Sequence, residues 1–391
     1  MKRILFLDQS SGLGGAELCL LDIATDYAST SLVALFAEGD FQDALVNRSM
    51  PNQLITSRPL NIRKDSTWVN SLSSVTEIAK LVFRIAKLSK AFDLIYANTQ
   101  KAFVIGAIAS AVSHRPLVYH LHDILSPEHF SSTNLKIAVT LANQFATLVI
   151  ANSEATRQAF INSGGKASLV KIVYNGFQAS RYTIASNIRQ DLRNSLGINH
   201  QFVVGCFSRL SPWKGQHILL EALAKCPKSV MVLLVGEALY GEDEYVKQLH
   251  QTIDELQLND RVHFLGFRSD VAELMQACDA VAHTSVTAEP FGRVIVEAMF
   301  SRRPIIATAA GGAMELVEPG KTGWLTEPGN IEDLVKAISS IQQDKMVTNS
   351  IVECAYTQAF DRFHIDNTNH QIKTLLDSIE SPRKFDTHYC I

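Results

Sequence analysis

Several things are scarce in this chain, and each shortage removes a class of function. No window holds about eighteen uninterrupted apolar residues, the length a membrane-crossing helix needs. The longest candidate, 137–151, is broken by Asn143 and Gln144. Cysteine is sparse, six in 391 residues. Cys19, Cys206, Cys226, Cys278, Cys354 and Cys390 form no C-x-x-C pair and have no histidine at metal-ligand spacing. Neither a disulfide framework nor a zinc finger is therefore expected, and reduced thiols in a cytoplasmic protein are. Excess charge of one sign is also missing: 36 Lys and Arg stand against 39 Asp and Glu, a formal net charge of -3. That balance leaves no footprint of a dedicated nucleic-acid binder, so an anionic ligand has to be met by a few local cations. Low-complexity tracts are absent, as is a D-x-D motif on a strand-end loop. Met1-Lys2-Arg3 followed by I-L-F-L resembles the start of a signal peptide. Asp8 and Gln9 end that apolar run far short of an h-region, which makes a first buried strand the expectation.

What is present is an alternation. Apolar runs at 4–7, 31–36, 93–97, 117–121 and 148–151 are spaced by longer segments of helical period. Continuous apolar strands spaced by helices indicate a parallel sheet buried on both faces. The pattern pauses at about 175–200 and resumes at 202–207, 230–236, 262–266, 280–284 and 304–308. Two doubly wound α/β domains are expected, with a boundary near residue 180 and a ligand cleft between them. In such sheets ligands collect at the carboxyl ends of strands, and the motifs follow strand ends.

After the first strand comes S-S-G-L-G-G-A-E, a flexible loop through Gly12, Gly14 and Gly15 before a helix. Its amides suit an anion or a sugar hydroxyl, while a turn needing positive φ is the plainer explanation. The strand L-V-Y-H-L-H-D sets His120 and His122 on one face, with Asp123 at its end. Of the two, His122 is nearer the carboxyl end and better placed to hydrogen-bond a reacting sugar. After 202–207 comes S-R-L-S-P-W-K-G, where Arg209, Lys214 and a helix start converge as a diphosphate would require.

Residues 287–299 read T-A-E-P-F-G-R-V-I-V-E-A-M. On one helix, eight residues at roughly 100° each would separate Glu289 and Glu297 by about 80°. Pro290 and Gly292 break that helix, so it is expected to begin at Arg293, with Glu289 in the loop before it. Elsewhere, Lys80, Arg84 and Lys87 recur at helical spacing opposite Leu81, Phe83, Ile85 and Leu88. The solvated face of a sheet-covering helix explains that stripe, and contact with an anionic bilayer is the alternative.

These motifs in this order resemble the retaining nucleotide-sugar glycosyltransferases of family 4, also called group 1, which have the GT-B fold. The resemblance spans nearly the whole chain and is strongest over 205–328. E-P-F-G-R-V-I-V-E fits the family's E-x7-E signature, and S-R-L-S-P-W-K-G, F-L-G-F-R-S-D-V and A-A-G-G-A-M-E-L-V fit beside it. It departs at Ser208, where glycine is common, and at Gln178, where aspartate is usual.

The resemblance implies that Arg209 and Lys214 hold the donor diphosphate, Glu297 the ribose and Glu289 the sugar hydroxyls. Amides of Phe291, Gly292, Arg293 and Val294 would complete the contacts, with Gly266, Phe267 and Arg268 beside the base. Gly14 and Gly15 would close over the donor, and His122 would sit near the transferred sugar. The expected division is 1–180 for the acceptor side, 181–358 for the donor side, and 359–391 for a helix returning toward the first domain, plus a tail. The expected reaction is hexosyl transfer from a UDP- or GDP-sugar to a sugar, lipid-linked or small-molecule acceptor, in polysaccharide or glycolipid synthesis. No metal or other cofactor is expected, and the expected location is the cytoplasm or the inner face of its membrane. A nucleotide-sugar 2-epimerase and a non-catalytic sugar-nucleotide-binding subunit are the alternatives.

Overall fold

The computed structural model describes residues 1–56, 72–239 and 241–380. The polar stretch 61–68, Cys390 and the tail 381–391 lie outside the described residues. The chain divides into two units, Phe177–Ile365 and a first unit of Met1–Gly176 joined by the segment from Asp366 onward.

In the first unit seven parallel strands run β1 (Ile4–Asp8), β2 (Leu32–Leu35), β3 (Asn52–Leu54), β4 (Leu94–Ala97), β5 (Leu117–Leu121), β6 (Ala146–Ala151) and β7 (Val170–Ile172). Their order in the sheet is β3-β2-β1-β4-β5-β6-β7. Every residue of β1, β4 and β5 is buried, because helices cover both faces and leave no side for polar residues. The polar members of those strands, such as His120, therefore need partners of their own.

The second unit holds β8 (Phe202–Phe207), β9 (Val230–Val235), β10 (Val262–Gly266), β11 (Ala280–His283), β12 (Ile305–Thr308) and β13 (Trp324–Thr326), in the order β10-β9-β8-β11-β12-β13. Both sheets grow outward one way through three strands and then restart on the other side of the first. Each has a switch point there, between β1 and β4 and between β8 and β11, where helices depart to opposite faces and leave a crevice.

Phe177 and His364 form a parallel bridge, with Phe177 N–H on Phe363 O at 2.8 Å and Ile365 N–H on Phe177 O at 2.9 Å. This pairing lies at the limits of the second unit, Phe177–Ile365. The helix Lys345–Phe363 stays with the second unit, its Phe363 fully buried. The next helix, Ile365–Ser378, carries Ile372 and Leu376 into the cluster of Ile4, Phe6 and Leu20.

Candidate functional site

The second unit's switch point gathers three loops, those after β8, β11 and β12. Pro212 opens a turn of 3-10 helix, Pro212–Lys214, which ends at Gly215 with φ of 71°. A Cβ on Gly215 would stand 2.1 Å from Thr284 O, so the β8 loop can press on the β11 loop only with glycine there. Thr284 Oγ1 donates to Lys214 O at 2.9 Å and Val286 N–H to Trp213 O at 2.9 Å, locking the two loops together. The β12 loop closes the third side. Gly312 N–H donates to Glu289 O at 2.8 Å, and Gly311 forms a bridge with Glu289.

Lys214 and Glu289 meet inside this frame. Lys214 Nζ lies 2.5 Å from Glu289 Oε1, with the two side chains 16% and 8% exposed. The same oxygen takes hydrogen bonds from His283 Nε2 at 2.9 Å and from the Ser285 hydroxyl. Burial alone would push the Glu289 carboxyl up. The Lys214 ammonium and His283 outweigh it and hold the carboxyl well below its usual range. Arg209 Nε stands 3.5 Å from Glu242 Oε2, and the Trp213 ring lies 4.2 Å from Lys214 Nζ and 5.8 Å from the Arg209 guanidinium carbon. An indole face beside two cations offsets some of their repulsion.

The helix after the break spans Arg293–Phe300, beginning where the sequence places it. Gly292 precedes it at φ of 93°, and the first amides of a helix have no partner within it. Phe291 turns away from this loop into the core, 2% exposed, with Phe177 at 6.2 Å and Phe363 at 5.9 Å between ring centres. Only its backbone can serve a ligand. Glu297 lies 3.6 Å from Arg293, and burial raises its pKa against the pull of that guanidinium. A hollow of about 480 Å³ adjoins the ends of β9 and β10, lined by Leu210, Gly236, Glu237, His250, Phe264 and Gly266. Phe267 is 62% exposed, and Arg268 pairs with Asp270.

In the first unit, Asp8 ends β1 and is fully buried. Asn98, just after β4, donates from Nδ2 to Asp8 Oδ2 at 2.8 Å and to Ala16 O at 3.1 Å. His122, just after β5, has Nε2 2.9 Å from Asn98 Oδ1. Burial, then the nearby Glu17 carboxylate, push the Asp8 pKa up to about 7. His120 is buried beneath His122, ring centres 4.0 Å apart, with Nδ1 2.7 Å from the Tyr96 hydroxyl. Burial first, and His122 second, hold its pKa well below the usual value. The fold also brings Cys19 to these two histidines, candidate ligand atoms lying within 4.8 Å of one another, a proximity invisible to spacing along the chain.

Gly14 departs from expectation. It needs no positive φ, since its φ is -100°, and its N–H is already engaged with Glu17 Oε2 at 3.0 Å. What it can offer a ligand is room rather than a donor. Gly15 begins the helix Gly15–Thr25.

Known proteins match along nearly the whole chain. The family model described as Glycosyltransferase Family 4 covers residues 13–181, and that described as Glycosyl transferases group 1 covers 188–358. The crystal structure of Anabaena Alr3699/HepE in complex with UDP and glucose is 52% identical in sequence. It superposes with a TM-score of 0.91 over 97% of this chain and 100% of its own. The chain belongs to the group 1, family 4 glycosyltransferases. Its fold is GT-B, the two units being the two parallel-sheet halves.

More distant relatives match in part. Spore coat protein SA of Bacillus subtilis (strain 168) is 28% identical over 254 residues, 61% of this chain and 66% of the relative. A D-inositol 3-phosphate glycosyltransferase of Mycobacterium sp. (strain KMS) is 32% identical over 200 residues, 50% of this chain and 45% of the relative. The matched stretches thus span from under half to just under two thirds of these two relatives.

In this glycosyltransferase the E-x7-E signature and the A-A-G-G segment are one physical object, since a Cβ on Gly311 would stand 2.3 Å from Glu289 O. Reading from sequence missed His283, Ser285 and Glu242 around the cations, and Asp8 and Asn98 around His122. For all but Glu242 the available signal was position, each standing at or just past the carboxyl end of a strand. Ser208, the departure from glycine, is accommodated: its hydroxyl accepts from Gln216 Nε2 at 2.9 Å.

One expectation is corrected. On the helix Leu72–Ser89, Phe83 does not share the buried side with Leu81 and Ile85 but is 66% exposed. Residues 80, 83, 84 and 87 share a face at i, i+3, i+4 and i+7, so the aromatic ring lies among the cations. Lys80 pairs there with Glu77 at 2.9 Å, and Arg84 donates to Ile55 O at 2.8 Å. Among the described residues no helix is long and apolar enough to cross a membrane.

Proposed function

We propose that this glycosyltransferase moves a hexosyl group from a UDP-sugar to an acceptor hydroxyl with retention of anomeric configuration, in the assembly of a polysaccharide or glycolipid. The observation carrying this reading is the buried Lys214–Glu289 pair beside Arg209, where three strand-end loops meet. The Anabaena relative, solved with UDP and glucose and with UDP-glucose, supports UDP over GDP as the nucleotide.

As the glycosidic bond breaks, the electron pair and negative charge pass to the leaving diphosphate. Fixed cations stabilise that charge most when water is excluded and nothing has to reorganise. Arg209 and Lys214 supply them, aided by the backbone of Phe291, Gly292, Arg293 and Val294 at a helix start. Glu289 is fully charged at neutral pH by virtue of Lys214 and His283, so it accepts hydrogen bonds from sugar hydroxyls rather than giving up a proton. Glu297 takes the ribose hydroxyls. The base lies by Gly266, Phe267 and Arg268, next to the 480 Å³ hollow. From the first unit, His122 addresses the transferred sugar, with Gly14 and Gly15 leaving room for the donor.

No divalent ion is needed on this reading, and the transfer rate should be unchanged by EDTA. The Phe83 face, with Lys80, Arg84 and Lys87, is the surface that would rest on an anionic membrane carrying a lipid-linked acceptor.

A thermal-shift screen of UDP-, GDP- and ADP-sugars tests the donor. A ligand at a hundred times its dissociation constant adds about 2.7 kcal/mol, enough to raise the midpoint by several degrees. UDP-glucose is expected to do so. A shift with GDP- or ADP-sugars alone would overturn the choice of nucleotide.

A further inference from the structure

Glu289 stands in a loop, yet one of the groups that hold it comes from the end of a strand. His283 is the last residue of β11, buried, paired with Ala307 of β12, and its carbonyl accepts from Thr308 Oγ1 at 3.1 Å. Side chains two positions apart in an extended chain share a face. His283 and Ser285 accordingly both reach Glu289 Oε1, the first from Nε2 at 2.9 Å and the second from its hydroxyl. Thr284, between them, donates instead to Lys214 O at 2.9 Å. Lys214 Nζ is the third donor on Glu289 Oε1. Among the described residues no side chain donates to Oε2.

We propose that His283, together with Ser285, is a positioning residue of Glu289: the pair commits Oε1 to the protein and presents Oε2 to the hydroxyls of the donor's sugar. This rests on the reading that Glu289 addresses those hydroxyls. A carboxylate anchored through one oxygen holds the other in a fixed direction, which is what a hydroxyl of one particular sugar requires. Lys214 alone could not provide that anchor, because the diphosphate also draws on its ammonium. A buried carboxylate held only by the lysine would then lose its donor, at a desolvation cost. The strand-borne imidazole and the Ser285 hydroxyl stay, so Glu289 keeps its place while Lys214 serves the leaving group. No covalent bond forms or breaks at His283, and no proton leaves it.

Comparing two ligands separates the sugar from the nucleotide, because UDP lacks the group that Glu289 addresses. UDP-glucose and UDP are each titrated by calorimetry into His283→Leu, checked for fold by thermal unfolding. Affinity for UDP-glucose is expected to fall about tenfold, roughly the worth of a hydrogen bond to a charged group, and affinity for UDP to stay within about twofold. His283→Gln, whose amide can still donate to Oε1, is expected to recover most of the loss. Equal losses for the two ligands, a loss for UDP alone, or no loss overturns the proposal, since a merely structural role would not sort sugar from nucleotide. Should His283→Leu not fold, Ser285→Ala removes a donor and little volume, and the same comparison decides. Glu289→Gln tells the two readings apart. If it weakens UDP-glucose relative to UDP and His283→Leu does not, the positioning role alone falls. If Glu289→Gln itself leaves that ratio unchanged, the sugar-contact reading falls and takes the proposal with it. In the Glu289→Gln background, His283→Leu should change the ratio no further, and an additional loss there would mean that the histidine acts through another group.

Discussion

At the scale of the residue, Lys214 bears on stability as well as on the proposed transfer. Removing one partner of a buried ion pair leaves an uncompensated charge and typically costs about 3–5 kcal/mol. Lys214→Ala is therefore expected to lower the denaturation midpoint as well as abolish transfer, because Glu289, with its side chain 8% exposed, loses the closest cation that offsets its burial. The double variant Lys214→Ala/Glu289→Gln should recover most of that stability in chemical denaturation and remain inactive. If it stays as unstable as the single variant, the ion pair is not what the lysine contributes to the fold.

Asp8 gives a pH dependence of opposite kind. Its pKa is raised by burial to about 7, so the neutral form suits the folded state. Its stabilisation is complete below the ordinary carboxylate range and is lost as pH climbs to about 7. Asp8→Asn should thus gain in melting temperature over the unmodified protein between about pH 4 and pH 8, and a constant difference would contradict the assigned burial cost. Both acids of E-x7-E could be read from the sequence, because Pro290 and Gly292 announce a break. His283 and Ser285 carried only a positional signal, at the last residue of an apolar strand and two residues past it. Asp8 and Asn98 lie 90 positions apart and are joined only by folding.

At the scale of the element, the strands most legible from sequence are those buried on both faces, whose composition is nearly all apolar. The strands that escaped, β3, β7 and β13, have three residues each and lie at or next to a sheet edge, so their periodicity is too short to register. The break at Gly292 was legible, whereas the steric demand that Gly311 answers was not. Gly311 sits at φ of +59° with Glu289 O 2.3 Å from the place of a Cβ. Gly311→Ala is expected to cost on the order of 1–3 kcal/mol and to displace the Glu289 loop, lowering transfer in a coupled assay. Normal activity would mean that the contact between these loops is not what holds Glu289. The face of the helix Leu72–Ser89 was misread at one position, since Phe83 follows helical period while its apolar character pointed inward. If that face meets lipid, Phe83→Ser should reduce co-sedimentation with anionic vesicles and leave neutral vesicles unaffected. Equal recovery with both would remove the membrane reading.

At the scale of the whole molecule, the sequence announces its architecture twice, because each half repeats the same alternation of strand and helix. What it does not announce is sheet order, and it is sheet order that brings β8, β11 and β12 side by side and sets β1 beside β4. The candidate residues cluster because both sheets reverse at their first strand, so loops distant in sequence share one crevice in each unit. The Phe177–His364 bridge lies at the limits of the second unit, Phe177–Ile365, and joins residues that are far apart in sequence.

The second unit is proposed to hold a nucleotide-sugar diphosphate with Arg209 and Lys214, opposite Glu289. Calorimetric titration of UDP-glucose into the unmodified protein and into Lys214→Ala/Glu289→Gln distinguishes the outcomes. Saturable binding by the former, and its loss in a folded double variant, is the predicted result. Equal binding by both would contradict it.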